Sequence, residues 1–476
     1  MNILTADIGS TYTKLVAINT EECSVIATSS AFTTIETDVM DGFRNALQKL
    51  EHKIGSKFEY DELLCCSSAA GGLKMVALGL VPELTAKAAK LAASSAGAKV
   101  MKTYSFELSN LEMNEIELIN PDLVLLCGGT DGGNKDVIIA NASKLVNING
   151  NFTTIVAGNK SASTEIENLF NQSSKPYVIT ENVMPEFNKL NIEPAKQKIT
   201  ELFINQIIEA KGLSGIQKLA EEDIIPTPLA VLNGCELLSK GTKNLEGLGE
   251  LLAIDIGGAT TDVYSIARGL PTIENATTKG LPEPINKRTV EGDLGMRYSL
   301  TSLVDEIDID SFSEHNNIDK DEIIKWVKTV SDDPSILATP QSIQQEIEMA
   351  IAKNAVKIAV ERHVGTYESV FTPFGQVFAL TGKDLTNIPY VIGIGGAIIN
   401  SEYPNKILDG AKRLSTDTSF AKPSNPKYFT DREYIFSAIG LLSGKYEEVG
   451  MELARRFILV SPDTCGVNSK SIIEPD

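Results

Sequence analysis

Residues 251–266 read Leu251-Leu-Ala-Ile-Asp255-Ile-Gly257-Gly258-Ala-Thr260-Thr261-Asp262-Val-Tyr-Ser-Ile266. Two apolar runs flank a short glycine-rich turn, which predicts a β-hairpin with a carboxylate at the end of its first strand. The two glycines let the backbone approach a bulky anion closely. The N–H groups of the turn and its two threonine hydroxyls are then suited to bind phosphate oxygens, with Asp255 holding a hydrated Mg²⁺ or orienting a water. Taken alone, such a turn is more often a plain hairpin.

The same pattern occurs near the start of the chain, where residues 4–18 read Leu4-Thr-Ala-Asp7-Ile-Gly9-Ser10-Thr11-Tyr-Thr13-Lys14-Leu-Val-Ala-Ile18. Aligning Asp7 with Asp255 places Gly9 on Gly257, Thr13 on Thr261 and Lys14 on Asp262. Two like hairpins far apart in a chain predict two like domains that face each other across a nucleotide. The alternative is a pair of unrelated edge hairpins.

A third glycine pattern, Pro389-Tyr-Val-Ile-Gly393-Ile-Gly395-Gly396-Ala-Ile-Ile399, predicts a strand that runs into a turn and a helix. A dinucleotide-binding fold would need G-x-G-x-x-G and an acidic residue that ends the following strand, and neither is evident. As the partner of two phosphate hairpins the turn instead fits adenosine, because its small residues let a purine and ribose lie against the backbone. The following helix would direct its N-terminus at the α-phosphate.

Composition narrows the classes of function. A chain of 476 residues is too long for one core and predicts two to four domains. The formal net charge is −20, from 43 Lys and Arg against 63 Asp and Glu, so most of the surface repels nucleic acid and anionic membrane. The sequence contains no apolar run long enough to span a bilayer, and its start lacks the basic region of a signal peptide, so we expect a cytoplasmic location.

The cysteines and one further glycine run leave alternatives open. The six cysteines form no C-x-x-C pair and mostly occupy apolar runs, which indicates buried thiols; the vicinal Cys65-Cys66 would alternatively bind an iron–sulfur cluster across a dimer. The three histidines lack metal-ligand spacing, so the only metal we expect is Mg²⁺ carried by a nucleotide. The run Gly128–Gly133 fits an anion or ligand site, or a plain strand-to-helix turn.

Two Asp-Ile-Gly hairpins followed by a late Gly-x-Gly-Gly resemble the actin–Hsp70–sugar-kinase superfamily of ATPases. The resemblance implies an α/β fold with two actin/Hsp70-like (ribonuclease H-like) domains around a cleft that holds ATP and Mg²⁺. It implies that Asp7 and Asp255 anchor the hydrated metal and that Lys14 neutralises charge on the phosphates. The implied nucleotide contacts are Gly9, Ser10, Thr11 and Thr13 in the first loop, Gly257, Gly258, Thr260 and Thr261 in the second, and Gly393, Gly395 and Gly396 at the adenosine.

An alternation of strands and helices from about residue 60 to 182 predicts an inserted, mostly parallel α/β domain. The predicted boundaries are 1–60, 200–248 and 430–476 for the first ATPase domain with its hinge helices, 61–199 for the insert, and 249–429 for the second ATPase domain, with a small lobe near 282–340. Many superfamily members carry Glu or Gln before the hinge proline to place the hydrolytic water. In this chain Thr227, predicted as a helix cap, occupies that position. The sequence therefore does not identify the residue that places the hydrolytic water.

More narrowly, residues 67–75, 125–134 and 289–297 look like the glutamate mutase (methylaspartate mutase) accessory family. Its members are often labelled MutL, a name shared with the unrelated mismatch-repair ATPases. The resemblance implies an ATP-driven reactivating chaperone that contacts the subunits of an adenosylcobalamin-dependent mutase and drives exchange of damaged cobalamin. Two alternatives on the same fold are a small-molecule kinase, with Asp131 or Asp293 as base, and an actin-like filament protein. The sequence also leaves open whether the chain forms a homodimer or binds a small partner subunit.

Overall fold

The computed structural model describes residues 1–9, 12–34, 38–68, 74–210, 213–220, 222–373, 375–416 and 419–459. Ser10 and Thr11 of the predicted first phosphate loop, and Cys465, lie outside the described residues. The strands are β1 (Asn2–Ile8), β2 (Tyr12–Asn19), β3 (Ser24–Phe32), β4 (Glu62–Ser67), β5 (Lys74–Gly79), β6 (Lys99–Ser105), β7 (Leu123–Leu126), β8 (Thr153–Val156), β9 (Tyr177–Ile179), β10 (Ile225–Pro226), β11 (Leu251–Ile256), β12 (Thr261–Ile266), β13 (Ala276–Lys279), β14 (Asn286–Glu291), β15 (Thr366–Thr372), β16 (Gly375–Thr381), β17 (Tyr390–Ile394) and β18 (Lys427–Thr430).

The α-helices follow the same chain order. They are α1 (Val39–Ile54), α2 (Lys87–Ser95), α3 (Asn110–Ile119), α4 (Asp136–Leu145), α5 (Ser163–Asn171), α6 (Glu193–Ala210), α7 (Ser214–Gln217), α8 (Thr227–Lys240), α9 (Leu300–Asp305), α10 (Ile309–Asn316), α11 (Lys320–Asp332), α12 (Ile343–His363), α13 (Gly396–Ile399), α14 (Pro404–Leu408), α15 (Phe436–Leu442) and α16 (Glu447–Phe457). A turn of π-helix, Pro82–Ala86, precedes α2. No helix in the described part of the chain is long and apolar enough to cross a membrane.

The first sheet has the strand order β10-β4-β1-β2-β3. β1 runs antiparallel to β2 and parallel to β4, and its register places Asp7 opposite Lys14. Helix α1 covers the sheet with an apolar stripe that buries Phe43 and Leu50. Asp38 caps its start by accepting from the Met40 amide.

The second sheet, β14-β12-β11-β17-β18, repeats the first strand for strand. Its hairpin strands β11 and β12 are antiparallel, and β11, β17 and β18 are mutually parallel, as are β1, β4 and β10. The last parallel strand of each sheet leads into a helix, α8 or α15, and these two helices pack together in a core that also holds residues of both sheets. This duplicated arrangement confirms the predicted α/β fold with two ribonuclease H-like halves.

The inserted sheet has the order β6-β5-β7-β8-β9, and all its strands are parallel. One strand that the alternating pattern assigned to this insert is wrongly placed: Leu63–Ser67 lies in β4, which pairs with β1 and belongs to the first sheet. The error arises because a buried parallel strand reads as the same apolar run in either sheet. The domain boundaries themselves stay predictions.

The segment expected as a small lobe near 282–340 is continuous with the second half. It contributes β14 to the second sheet, and the buried Leu303, Phe312 and Ile323 of α9, α10 and α11 belong to the same core as β11. A separate three-stranded sheet, β13-β16-β15, comes from residues on either side of that segment.

Candidate functional site

One cavity, open to solvent, lies where the carboxyl ends of the two central strands approach each other. Asp7 of β1 and Lys14 of β2 reach it from the first half, and Asp255 of β11 and Gly395 reach it from the second. The last parallel strand of each sheet, β10 or β18, leads into one of the two hinge helices, α8 and α15. These helices and the residues just before α15 add Thr227, Asp431, Tyr434 and Ser437 to the lining. Both predicted carboxylates and the predicted cation therefore face one space.

Thr227 acts on Asp7 and does not cap its helix. Its Oγ1 donates to Asp7 Oδ1 at 2.8 Å, and α8 starts without a side-chain cap. The Sγ of Cys66, on the neighbouring β4, lies 3.5 Å from the same oxygen. The Asp7 carboxylate is thus fixed from two adjacent elements before any ligand is bound.

The electrostatics of the cavity favour an added cation. Burial and the nearby Asp262 carboxylate raise the pKa of Asp255 to about 7, with Asp7 and Asp431 acting in the same direction and Lys14 opposing them. Burial also raises the pKa of Asp431 to about 6, against the backbone hydrogen bonds that stabilise its charge. Like charges that share a site disfavour one another's ionised forms.

Two glycines of the adenosine pattern stand at close approaches. Gly395 has φ +85°, and a Cβ there would lie 2.4 Å from Asp255 Oδ1 and from the Ile256 carbonyl oxygen. A Cβ on Gly396 would lie 2.9 Å from the Tyr434 hydroxyl. Gly393 has a different role, because a Cβ there would meet Ile398 and Leu408 side chains of the core. The turn is therefore tight against the second carboxylate.

Several groups that were predicted to contact phosphate instead form hydrogen bonds within the protein. Thr13 and Thr261 are fully buried; the Thr13 hydroxyl pairs with Thr33 Oγ1 at 2.9 Å, and Thr261 donates to the Leu294 carbonyl. Their hydroxyls are thus engaged within the protein. Gly9 and Gly257 lie in the hairpin turns, where each amide donates across its turn, at 3.0 and 2.9 Å. Gly258 and Thr260 are partly exposed beside them.

Asp431 and Tyr434 are polar residues of the cavity that were not predicted from the sequence. Asp431 is buried and accepts from the Ile435 amide at 3.0 Å and the Phe436 amide at 2.9 Å, so it caps the hinge helix α15. An acidic residue between a strand and a helix is a recognisable cap signal. Tyr434 has φ +56° and places its ring 3.9 Å from Lys14 Nζ. That cation–π contact joins distant parts of the chain and leaves no local signal.

Two alternatives from the sequence can now be resolved. Cys65 and Cys66 are buried and adjacent in β4, so their side chains face opposite sides of the sheet, Cys65 in the core and Cys66 beside Asp7. This excludes a shared cluster at a dimer surface, and the described residues contain no group of His, Cys, Asp and Glu suited to a metal ion. In the Gly128–Gly133 loop, Asn182 donates to the Gly129 carbonyl and Asn159 to the Gly133 carbonyl, each at 3.0 Å, which favours the turn interpretation.

The raised pKa of Asp255 predicts a pH-dependent stability. In the unfolded chain an Asp titrates near 3.9, and in the folded protein Asp255 titrates at about 7, so its ionisation lowers the stability of the fold progressively between these values and by a constant amount above them. Asp255→Asn cannot ionise. In EDTA without nucleotide, the melting temperature of Asp255→Asn minus that of the wild type should rise by several degrees from pH 5 to pH 8. A difference that stays flat from pH 5 to pH 8 would contradict the assignment.

The duplicated sheets and the cleft between them have the actin-like fold that the sequence resemblance predicted. The model of the family described as MutL protein matches residues 3–458. Over 461 residues the chain is 43% identical to "Protein MutL" from Clostridium tetanomorphum, covering 96% of this chain and 99% of that protein. The chain therefore belongs to the MutL protein family, as the sequence resemblance predicted.

Similar solved structures share little sequence with this chain. A nucleotide-free acetone carboxylase has a TM-score of 0.40 at 13% identity, covering 93% of this chain and 70% of that one. The activator of 2-hydroxyisocaproyl-CoA dehydratase from Clostridium difficile with bound ADPNP has 0.31 at 10% identity, covering 98% and 100%. A ROK family glucokinase from Streptomyces griseus with glucose and AMPPNP has 0.31 at 11% identity, covering 96% and 100%. The fold assignment rests on the sheet topology of this chain.

Proposed function

We propose that the chain binds and hydrolyses ATP with Mg²⁺ in the cleft and uses the cycle to reactivate an adenosylcobalamin-dependent mutase of the glutamate mutase type. The observation that carries the ATPase is that Asp7 from one half and Asp255 from the other line a single cavity with Lys14. Each carboxylate ends the central strand of its own sheet. A ligand that contacts both therefore joins both halves.

The carboxylates of the cleft suit a hydrated Mg²⁺ that a nucleotide brings with it, since the described residues contain no group of three or more His, Cys, Asp and Glu side chains able to hold a bare ion. Asp7, Asp255 and Asp431 line the cavity together with one lysine, and mutual repulsion and burial keep Asp255 partly protonated near neutral pH. Mg²⁺ prefers oxygen ligands and retains several waters, so Asp7 and Asp255 would hold it through its hydration shell. When bound, the ion would neutralise charge on the phosphoryl oxygens.

The side chains of the cleft have separate tasks in this mechanism. Lys14, held over the Tyr434 ring, would leave the ring to neutralise the phosphates. Thr227 donates its proton to Asp7, so its oxygen retains lone pairs that can accept from the attacking water. A hydroxyl is a weaker partner for water than the Glu or Gln of related ATPases, which suits a slow, timed hydrolysis.

The hinge helices would convert hydrolysis into movement. Helix α8 starts at Thr227, which bonds Asp7, and α15 follows Asp431 and Tyr434, so both helices begin in the cleft. The triphosphate would hold the two halves together, and loss of the γ-phosphate would release that tie. The inserted unit, predicted at 61–199, would pass this movement to the mutase and loosen its subunits so that damaged cobalamin leaves.

The test is ATP turnover by the purified chain with a glutamate mutase holding inactivated cobalamin. We expect the damaged mutase to stimulate phosphate release and to regain activity when intact adenosylcobalamin is supplied. The active mutase serves as the control and should stimulate less. ATP hydrolysis that the damaged mutase leaves unchanged, without recovery of its activity, would overturn the reactivating function and leave the ATPase standing.

A kinase reaction is distinguished in the same assay by a phosphorylated acceptor. Neither proposed base is among the described residues that line the cavity. Asp293 pairs with Arg362 at 2.8 Å, and Asp131 accepts from Asn182 within the inserted unit. The geometry therefore favours transfer of the phosphoryl group to water.

A further inference from the structure

A buried arginine joins the second phosphate hairpin to the inserted unit. Arg288, on β14, is 4% exposed. Its Nη2 and Nε lie 2.6 and 2.8 Å from Asp262 Oδ1, and its Nη1 donates to the Ser94 carbonyl at 3.1 Å. Ser94 is in the last turn of α2, which forms part of the insert. One guanidinium thus contacts two separate structural units.

At the hairpin end, Asp262 is directly coupled to the cavity. It stands opposite Asp255 in the β11–β12 ladder, so both carboxylates lie on one face of the sheet. The Thr260 hydroxyl, in the hairpin turn, donates to Asp262 Oδ2 at 3.2 Å. If the Thr260 hydroxyl instead donates to a bound phosphate, Asp262 loses that hydrogen bond. Arg288 is then the main partner of the Asp262 carboxylate.

At the insert end, Arg288 supplies the cation that the last turn of α2 lacks. The last turn of α2, Ala92-Ala-Ser-Ser95, contains no basic residue, while its carbonyls form the negative end of the helix dipole. Lys87, in the first turn, forms an ion pair with Glu283 of the second half at 2.5 Å. Helix α2 is therefore attached to the second half at both ends, and the attachment through Arg288 ends directly on Asp262 of the hairpin.

We propose that Arg288 is a positioning residue that couples nucleotide at the second hairpin to the order of helix α2. The inference rests on the proposed ATP site and adds the route by which the insert senses it. The arginine fork is rigid and planar, so a shift of the Asp262 carboxylate moves the Nη1 donor relative to Ser94. Lysine at this position could pair with Asp262 but would not reach both acceptors.

The experiment measures amide hydrogen exchange in α2 of the full-length chain, with and without saturating Mg²⁺ and AMPPNP, and nucleotide affinity by calorimetry. In the wild type we expect AMPPNP to slow exchange in α2 about tenfold, a typical size for allosteric coupling. In Arg288→Lys at saturating AMPPNP this ratio should fall towards one. The matched control Lys87→Met removes the ion pair between α2 and Glu283, and Glu283 still pairs with Lys287 at 3.2 Å. In this variant AMPPNP should still slow exchange in α2 about tenfold.

Two results would overturn the proposal. One is a wild type that binds AMPPNP without any change in α2, a measurement that needs no variant. The other is an Arg288→Lys protein that retains the wild-type ratio. If calorimetry shows that the wild type does not bind AMPPNP, the proposed ATP site is wrong and the coupling fails with it. If AMPPNP binds but exchange in α2 does not change, only the coupling is wrong.

Discussion

Asp255→Asn is expected to lower ATP turnover by roughly 100- to 1000-fold, the usual effect of removing one electrostatic contact from a transition state. Asn has nearly the same shape and lacks the charge that would anchor the hydrated metal. The protein should still fold, because Asp255 has a pKa of about 7 in the cleft and a neutral side chain already fits there. The measurement is phosphate release at saturating ATP and Mg²⁺.

Asp7→Asn should have an effect of similar size, since Asp7 occupies the same place in the other half. The matched control is Asp305→Asn, the same substitution on the exposed face of α9, which should keep wild-type turnover. If both Asp7→Asn and Asp255→Asn hydrolyse ATP at the wild-type rate, neither carboxylate has the proposed role.

Gly440→Ala is expected to lower the melting temperature by roughly 4 °C or more, corresponding to a loss above about 4 kcal/mol at the ~1 kcal/mol per degree typical of a chain of 476 residues. Gly440 is the contact point of the hinge helices α8 and α15, and a Cβ there would lie 1.7 Å from the Ala230 carbonyl oxygen. Because the clash is with backbone atoms, no side-chain rotation relieves it, and the two helices must move apart. ATP turnover should fall as well, because both helices carry residues of the cleft.

Gly444→Ala provides the matched control four positions later. Gly444 is exposed, and a Cβ there would meet no described atom within 4 Å. We expect its melting temperature within a degree or two of the wild type, comparable to ordinary surface substitutions. Equal melting temperatures for the two variants would show that the helices do not cross as closely as the structure indicates.

The sequence predicts the duplicated hairpins because a hairpin is a local structure, encoded by adjacent apolar runs and a turn. Asp7 and Asp255 could be paired across the chain by alignment, and the structure places both at one cavity. Strand partners are not local. The apolar run at Leu63–Ser67 suits any parallel sheet, and only tertiary packing assigns it to β1.

The sequence predicted site residues whose function depends on the position of their backbone. It predicted less well those whose function depends on what their side chains contact. Gly395 was predicted at a tight turn and lies against Asp255. Thr13 and Thr261 were predicted from the same motifs, yet their side chains point inwards, since neighbouring residues of a strand alternate between faces. Tyr434 and Arg288 act through residues far away in sequence, and no spacing rule identifies such partners.

The most direct test of the central claim is a crystal structure of the chain with Mg²⁺ and AMPPNP. The account predicts one nucleotide whose phosphates lie within hydrogen-bonding distance of both hairpin turns, with Asp7 and Asp255 on either side of the hydrated metal. A nucleotide bound to one half alone, or at the Gly128–Gly133 loop of the insert, would contradict it.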